Sequence, residues 1–428
     1  MPQNPDFSRK MMGFDGGGLG LTSATLRCTS KPYGTHHRVF ALHFIFSYSY
    51  YNQFDFPLKY RYNSIIPPKM RTIMEENTTK PHKRRVRYSG THPKRFEEKY
   101  KELNPEKYAD DVQRIIDKGH TPAGMHISIM VKEILDFLDI QPGQVGLDAT
   151  LGYGGHTRAM LDKLQGNGHI YALDVDPIES AKTTKRLRDA GYGEDILTVR
   201  LQNFADVDKV VLDTGKKFDF ILADLGVSSM QIDNPERGFS YKVEGPLDLR
   251  LNPEKGISGA ERLAELNRNE IEHMLIENAD EPYASQIAAN VMKWRYMGKP
   301  IETTTNFRDC IAEALSFLPK HEQKESVKKS CQRCFQALRI DVNSEFDVLY
   351  AFLEKLPSVL NPNGRVAVLT FHSGEDRLVK KGFQAFYRMG IYSDVARDVI
   401  RPTAEECIKN SRAKSTKMRW AIRSDLEE

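Results

Sequence analysis

The residues best equipped for chemistry in this chain are two carboxylates and a glycine run, each placed at the end of an apolar stretch. Asp148-Ala-Thr150-Leu-Gly152-Tyr-Gly154-Gly155-His156 reads as a strand end, a glycine turn and a helix start. Glycines let a backbone close on a ligand, and the first turn of a helix offers amide donors that have no partner inside the helix. Asp174 closes the next apolar run, where a carboxylate can accept both hydroxyls of a ribose. Asp224 closes a later one, FDFILAD, near where an adenine or methionine moiety would lie. A dinucleotide fingerprint needs a third close-approach glycine at position 157, and Thr157 stands there. The pattern favours S-adenosylmethionine, which has no pyrophosphate, over NAD.

These groups need a scaffold, and the hydrophobic pattern supplies one. VGLDAT (145–150), HIYALDV (169–175), ILTVRLQ (196–202) and FDFILAD (218–224) read as buried strands separated by helices. The alternation then stops. Residues 232–330 contain amphipathic helical stretches such as ERLAELNRNEIEHMLIENA and no convincing core strand. It resumes with a helix at 344–356, the strand GRVAVLTF (364–371), a helix from Glu375 and the strand KMRWAIR (417–423). The expected fold class is α/β, a doubly wound and mostly parallel sheet with an inserted helical domain. The expected divisions are a basic, largely disordered extension at 1–110, a first core segment at 111–231, the insert at 232–330 and a second core segment at 331–428.

Charge is unevenly placed. The chain of 428 residues carries a net +4, yet residues 1–95 hold sixteen Lys/Arg against five Asp/Glu. Residues 1–70 have no Glu and only Asp6, Asp15 and Asp55, an acid-poor character that resembles an organelle transit segment and predicts the mitochondrial matrix, with cytoplasm as the fallback. Lys80–Arg95 holds seven basic residues and no acid, which suits a solvated arm or a nucleic-acid backbone contact. Five cysteines are too few for a disulfide framework, and Cys331-x-x-Cys334 lacks a second ligand pair, so no metal site is expected. The most apolar stretch, Val39–Phe46, is too short to span a bilayer.

DATLGYGGHT, ALDVDP, DLGVSSMQID, ERGFS, GPLDLRL, FQALRIDVNSE and TFHSGEDRLVK occur in one order between residues 126 and 423. In that order and spacing the chain resembles the MraW/RsmH family, the ribosomal RNA cytosine-N4 methyltransferases of bacteria and organelles. The resemblance implies a seven-stranded S-adenosylmethionine-dependent methyltransferase sheet and a small-subunit ribosomal RNA, or an assembling small subunit, as partner. Met230, where bacterial members usually carry Pro, looks like the mitochondrial members. The sequence departs from the family at Ser128, where Pro is usual, and at Gly374, where Leu is usual. Carried over residue by residue, the family's cofactor contacts fall on Gly154, Gly155, His156, Asp174, Phe204, Asp224 and Gln231.

Methylating an exocyclic cytosine amine needs acceptors for its hydrogens, because the nitrogen lone pair is delocalised into the ring. The chain has DLGVSS where many amine methyltransferases carry an Asn/Asp-Pro-Pro-Tyr loop, so Asp224, Ser228 or backbone carbonyls are candidate acceptors, with Ser229 beside them. His372, after the strand at 364–371, is a titratable candidate on the same rim or a structural histidine. Arg237, Asp248, Arg250, Arg339 and Asn343 are either RNA contacts or a polar network joining insert to core. The closing run holds Arg412, Lys414, Lys417 and Arg419, which suits an RNA backbone. A non-catalytic ribosome-assembly factor that keeps the fold is the alternative function.

Overall fold

The computed structural model describes residues 128–425. The basic extension expected at 1–110, with its transit segment and arm, lies outside the described residues.

The chain enters through α1 (Val131–Leu138), which buries Ile134 and Leu138 and stops at Asp139 in a left-handed turn. Five strands, β1 (Val145–Asp148), β2 (His169–Asp174), β3 (Leu197–Leu201), β4 (Phe218–Asp224) and β5 (Leu360–Thr370), lie parallel to one another. Two more, β6 (Tyr392–Val395) and β7 (Lys417–Arg423), complete the order β3-β2-β1-β4-β5-β7-β6. β7 runs antiparallel to both of its neighbours. Helices α2 (Gly155–Leu164), α3 (Pro177–Asp189) and α4 (Val207–Thr214) make the crossovers. Parallel strands covered on both faces read as continuous apolar runs, which is why the centre of the sheet is nearly all buried. β6 was not read from the hydrophobic pattern, although the resemblance implied a seventh strand; it has four residues, of which two are exposed.

After β4, the short helix α5 (Ser229–Asp233) leads into an irregular stretch and then α6 (Gly259–Glu265), α7 (Arg268–Ala279), α8 (Ala284–Tyr296), α9 (Thr304–Ala314) and α10 (Lys320–Val342). These pack around their own core, which includes Ile271, Leu275, Ile287, Phe307 and Leu338. The expected insert boundary at 330/331 falls inside α10. Its first half is charged and its second half, from Ser330, is buried. Cys331 and Cys334 belong to that buried half; burial pushes the Cys331 thiol up to about 12, so both behave as small apolar side chains. The chain returns to the sheet through α11 (Glu345–Val359), and α12 (Ser373–Arg388) and α13 (Ala404–Lys409) flank the last strands. Among the described residues, no helix is long and apolar enough to cross a membrane.

Candidate active site

The glycine loop between β1 and α2 is held by acids on two sides. Asp148 is buried and accepts from the Thr157 hydroxyl at 2.6 Å and the Thr150 amide at 3.0 Å. Position 157, where a dinucleotide site needs glycine, is therefore filled by a hydroxyl that serves Asp148. Asp174 accepts the Gly152 amide at 2.8 Å on one oxygen and the Asp176 amide at 2.9 Å on the other. A carboxylate has about four acceptor positions, so both oxygens keep capacity for ligand hydroxyls. Burial pushes Asp174 up to about 6. The loop must stay free of side chains: Gly154 has φ +81°, and a Cβ on Gly155 would collide with Ser128 Oγ.

β4 delivers Asp224 to the same rim, its amide tied to the Thr150 hydroxyl at 2.7 Å. Asp224 Oδ2 lies 3.4 Å from His156 Nδ1, and His156 Nε2 lies 2.9 Å from the Ile129 carbonyl. Asp224 Oδ1 is buried and has no hydrogen-bond partner among the described residues. Burial raises this carboxyl to about 6, with His156 opposing the shift and Asp148 and Glu375 adding to it.

A cavity of about 510 Å³ opens along this edge. Gly154, Gly155, His156, Asp174 and Phe204 line it from the sheet side, and Asp224, Ser228, Ser229 and Gln231 from the turn after β4. Phe204 is half-buried and packs edge-on against Phe352 with ring centres 5.1 Å apart. Arg339, Asn343 and His372 complete the lining named in the sequence. The insert adds Tyr241, Gln332, Phe335 and Gln336, which sequence reasoning missed. The helical spacing of Gln332, Phe335 and Gln336 on α10 was legible, but nothing in the pattern said which face looked inward.

Several side chains expected to touch a ligand also make contacts within the fold. Gln231 and Ser228 form a reciprocal cap of α5, and the Gln231 amide donates to Asp176 at 2.8 Å. The same Asp176 oxygen receives Arg237 at 2.6 Å, and Arg237 also donates to the carbonyls of Arg250 and Leu251. Arg237 is only 6% exposed and does not line the cavity, and three of its five N–H groups bond this chain, so it joins insert to core. Asp248 and Arg250 close on each other at 2.7 and 2.8 Å, away from the cavity lining. Arg339 makes a two-pronged pair with Glu345 at 2.7 and 2.9 Å. Asn343 bonds the backbone at Leu249, Leu251 and Arg339. All five make polar contacts within the chain, and Arg339 and Asn343 also line the cavity. Asp176 is the residue that sequence reasoning passed over; its signal was Asp-Pro, a cap followed by Pro at the first helical position.

His372 caps α12, with its ring beside Glu375 at 3.1 Å. Burial works against the Glu375 charge, but His372 and the Phe371 amide hold the carboxyl below its usual range. Glu345, His372 and Glu375 bring possible ligand atoms within 4.8 Å of one another. The Arg339 guanidinium already occupies both Glu345 oxygens, which opposes a cation there. In the closing run Arg412 pairs with Asp233, and Lys417 and Arg419 pair with Asp376.

The seven-stranded sheet with its reversed last strand, open at the carboxyl edge over a glycine loop, defines an α/β methyltransferase fold. A family model described as the MraW methylase family matches residues 123–424, and the chain belongs to that family. The chain is 66% identical over 346 residues to "Ribosomal RNA small subunit methyltransferase H 1" of Agathobacter rectalis, covering 81% of this chain and 99% of that one. It is 64% identical over 349 residues to the protein of the same name from Lachnoclostridium phytofermentans, covering 82% and 95%. A "methyltransferase H 2" from Alkaliphilus metalliredigens is 59% identical over 82% of this chain and all of its own length. These relatives are bacterial, so they give no support to the mitochondrial-type resemblance read from Met230.

Proposed function

We propose that this chain methylates the N4 amine of a cytidine in small-subunit ribosomal RNA, using the cavity at the carboxyl edge of the sheet. It is an S-adenosylmethionine-dependent methyltransferase: the family supports the reaction class, and the relatives' names support the small-subunit RNA. The observation that carries the N4 reading is the buried, unpartnered oxygen of Asp224 beside the glycine loop.

The residues present suit a nucleoside cofactor. Gly154 and Gly155 let the loop pack closely on Thr183, Leu187 and Ser128, Asp174 has spare acceptor capacity for hydroxyls, and half-buried Phe204 offers an apolar face. When bound, S-adenosylmethionine supplies an electrophilic methyl group on a sulfonium. The work left to the protein is to unstack the base, orient its amine and take a proton. Asp224 supplies an acceptor for an N4 hydrogen, which turns the nitrogen lone pair away from the ring. Ser228 is already the cap of α5, so its hydroxyl is less free for this role than the carboxylate. His372 lines the same cavity but faces Glu375, which makes it the second choice as proton acceptor.

The helical insert as the RNA-recognising part rests on its side chains in the cavity wall. Import into mitochondria rests on residues 1–70 alone. A tagged protein processed and found in the matrix would support it; one found intact elsewhere would overturn it. For the activity itself, the purified chain is incubated with methyl-labelled cofactor and small ribosomal subunits, and the RNA is digested to nucleosides. N4-methylcytidine is the expected product; label on another base or another cytidine atom overturns the assignment, and absence of label favours a non-catalytic assembly factor.

A further inference from the structure

The strongest unexplained geometry in the molecule is the contact between His156 and Asp224. His156 sits in the first turn of α2, is 8% exposed, and places Nε2 at 2.9 Å from the Ile129 carbonyl oxygen. A carbonyl oxygen only accepts, so Nε2 must carry a hydrogen wherever this bond exists. In the neutral ring the other nitrogen, Nδ1, is then a bare lone pair. It faces Asp224 Oδ2 at 3.4 Å. Two acceptors opposed in a buried site repel unless a proton lies between them.

We propose that His156 and Asp224 form a proton-holding dyad, in which the Ile129 carbonyl fixes the imidazole tautomer so that Nδ1 is the resting place for a proton that Asp224 takes from the substrate amine. His156 is a positioning residue in this scheme: it acts through Asp224. The inference rests on the N4 reading above and extends it to the step after methyl transfer. In that reaction the N4–C bond forms as the sulfonium S–C bond breaks, leaving a thioether. One N4–H bond breaks, its proton goes to the Asp224 carboxylate, and the acid so formed shares it with Nδ1. Solvent later removes it and restores the dyad.

The surroundings push the dyad towards holding a proton. Asp148 from β1 and Glu375 from α12 both bring negative charge to Asp224, and the Asp148 carboxylate also acts on His156 itself. Asp224 cannot relax its demand elsewhere, since Oδ1 has no donor among the described residues and the Thr150 contact uses the backbone amide.

Two measurements test this. Nitrogen NMR of the histidine rings in the full chain, without cofactor or RNA, reports the tautomer; His156 is expected as the Nε2–H form at high pH. The Nδ1–H form would overturn the proposal whether or not the N4 reading is right. Second, His156→Gln keeps an amide able to reach the Ile129 carbonyl and removes Nδ1. At saturating cofactor, single-turnover methylation is expected to fall at least tenfold, and the rising limb of the pH–rate profile, near pH 6 in the parent, moves to higher pH, because the ring that opposes the burial shift of Asp224 is gone. A variant that loses only cofactor affinity, with the limb unmoved, would make His156 a plain cofactor contact. If the glutamine variant folds poorly, His156→Asn should show the same loss of single-turnover rate, since it too lacks a ring nitrogen that can hold the proton.

Discussion

On the sheet side of the cavity Asp224 keeps a buried oxygen without a donor, and Asp174 has acceptor capacity to spare. In the insert and at its junction with the core, Arg237, Arg250, Arg339 and Asn343 donate to this chain's own acceptors. Both regions are polar, and their motifs looked equally functional. What separates them is satisfaction: a buried polar group already paired stabilises the fold, and one left unpaired costs free energy that a ligand can return. The unpaired side is where chemistry is expected, and the paired side is what holds the insert against the sheet.

The largest effect should come from breaking the paired side. Arg237→Ala leaves Asp176 with an uncompensated buried charge and two carbonyls without donors. A loss of about 3–5 kcal/mol in denaturant unfolding is expected, with cofactor affinity falling only as the fold is lost. A stable variant that had lost RNA affinity alone would return Arg237 to the RNA-contact role and undo the comparison.

Next in size is the cofactor side. Asp174→Ala removes charge-assisted acceptors for the ligand and also frees the Gly152 and Asp176 amides. Calorimetry should show S-adenosylmethionine binding weakened by about 1.5–3 kcal/mol in a folded protein. An unchanged dissociation constant would mean that Asp174 serves only to brace the loop.

The contrast between the regions explains what could be read in the sequence. β1, β2, β4 and β5 were legible because a strand buried on both faces is an unbroken apolar run. β6 is too short, and its Ser393 and Asp394 too polar, to stand out. The expected insert boundary cuts α10 because the charged start of that helix resembles a solvated one, whereas Cys334, Phe335 and Leu338 are buried in its second half. Motif order located the rim and its carboxylates. It could not reveal which arginines were already paired, because partners such as Arg237 and Asp176 lie 61 residues apart. The orphaned oxygen of Asp224 and the His156–Ile129 bond are likewise properties of packing, invisible to spacing.

A smaller effect concerns stability against pH. Asp224 has a folded-state value of about 6 against an ordinary 3.8. Between those values the folded chain holds more protons than the unfolded one, so this group's contribution to stability falls as pH rises through the window and stays low above it. Asp224→Asn removes the charge. The variant should melt higher than the parent at pH 8, by on the order of 1 kcal/mol, or about 2–4 °C, and the gap should close below pH 4. It should also lose methylation. A variant less stable than its parent at pH 8 would mean that the carboxylate is satisfied after all, which would remove the main contrast between the two sides.

The smallest expected effect sharpens the comparison on the insert-facing rim. Of the four cations in the closing run, Arg412, Lys417 and Arg419 are paired with acids, whereas Lys414 is exposed and has no acidic partner among the described residues. If satisfaction decides function, Lys414 alone should contact an RNA phosphate. Its neighbours Arg412 and Ser415 line the cavity, so its chain position is right for the strand leading to the methylated base. Lys414→Ala should weaken RNA binding by less than about 1 kcal/mol at moderate salt and lower the slope of log affinity against log salt by about one. Cofactor affinity and melting temperature should not move, because no folded-state contact is lost. Lys417→Ala is the control: it removes a partner of Asp376 and should cost stability without changing the salt slope. If both variants lower the slope equally, paired cations also bind RNA, and pairing in the free protein is then no guide to which groups the substrate uses.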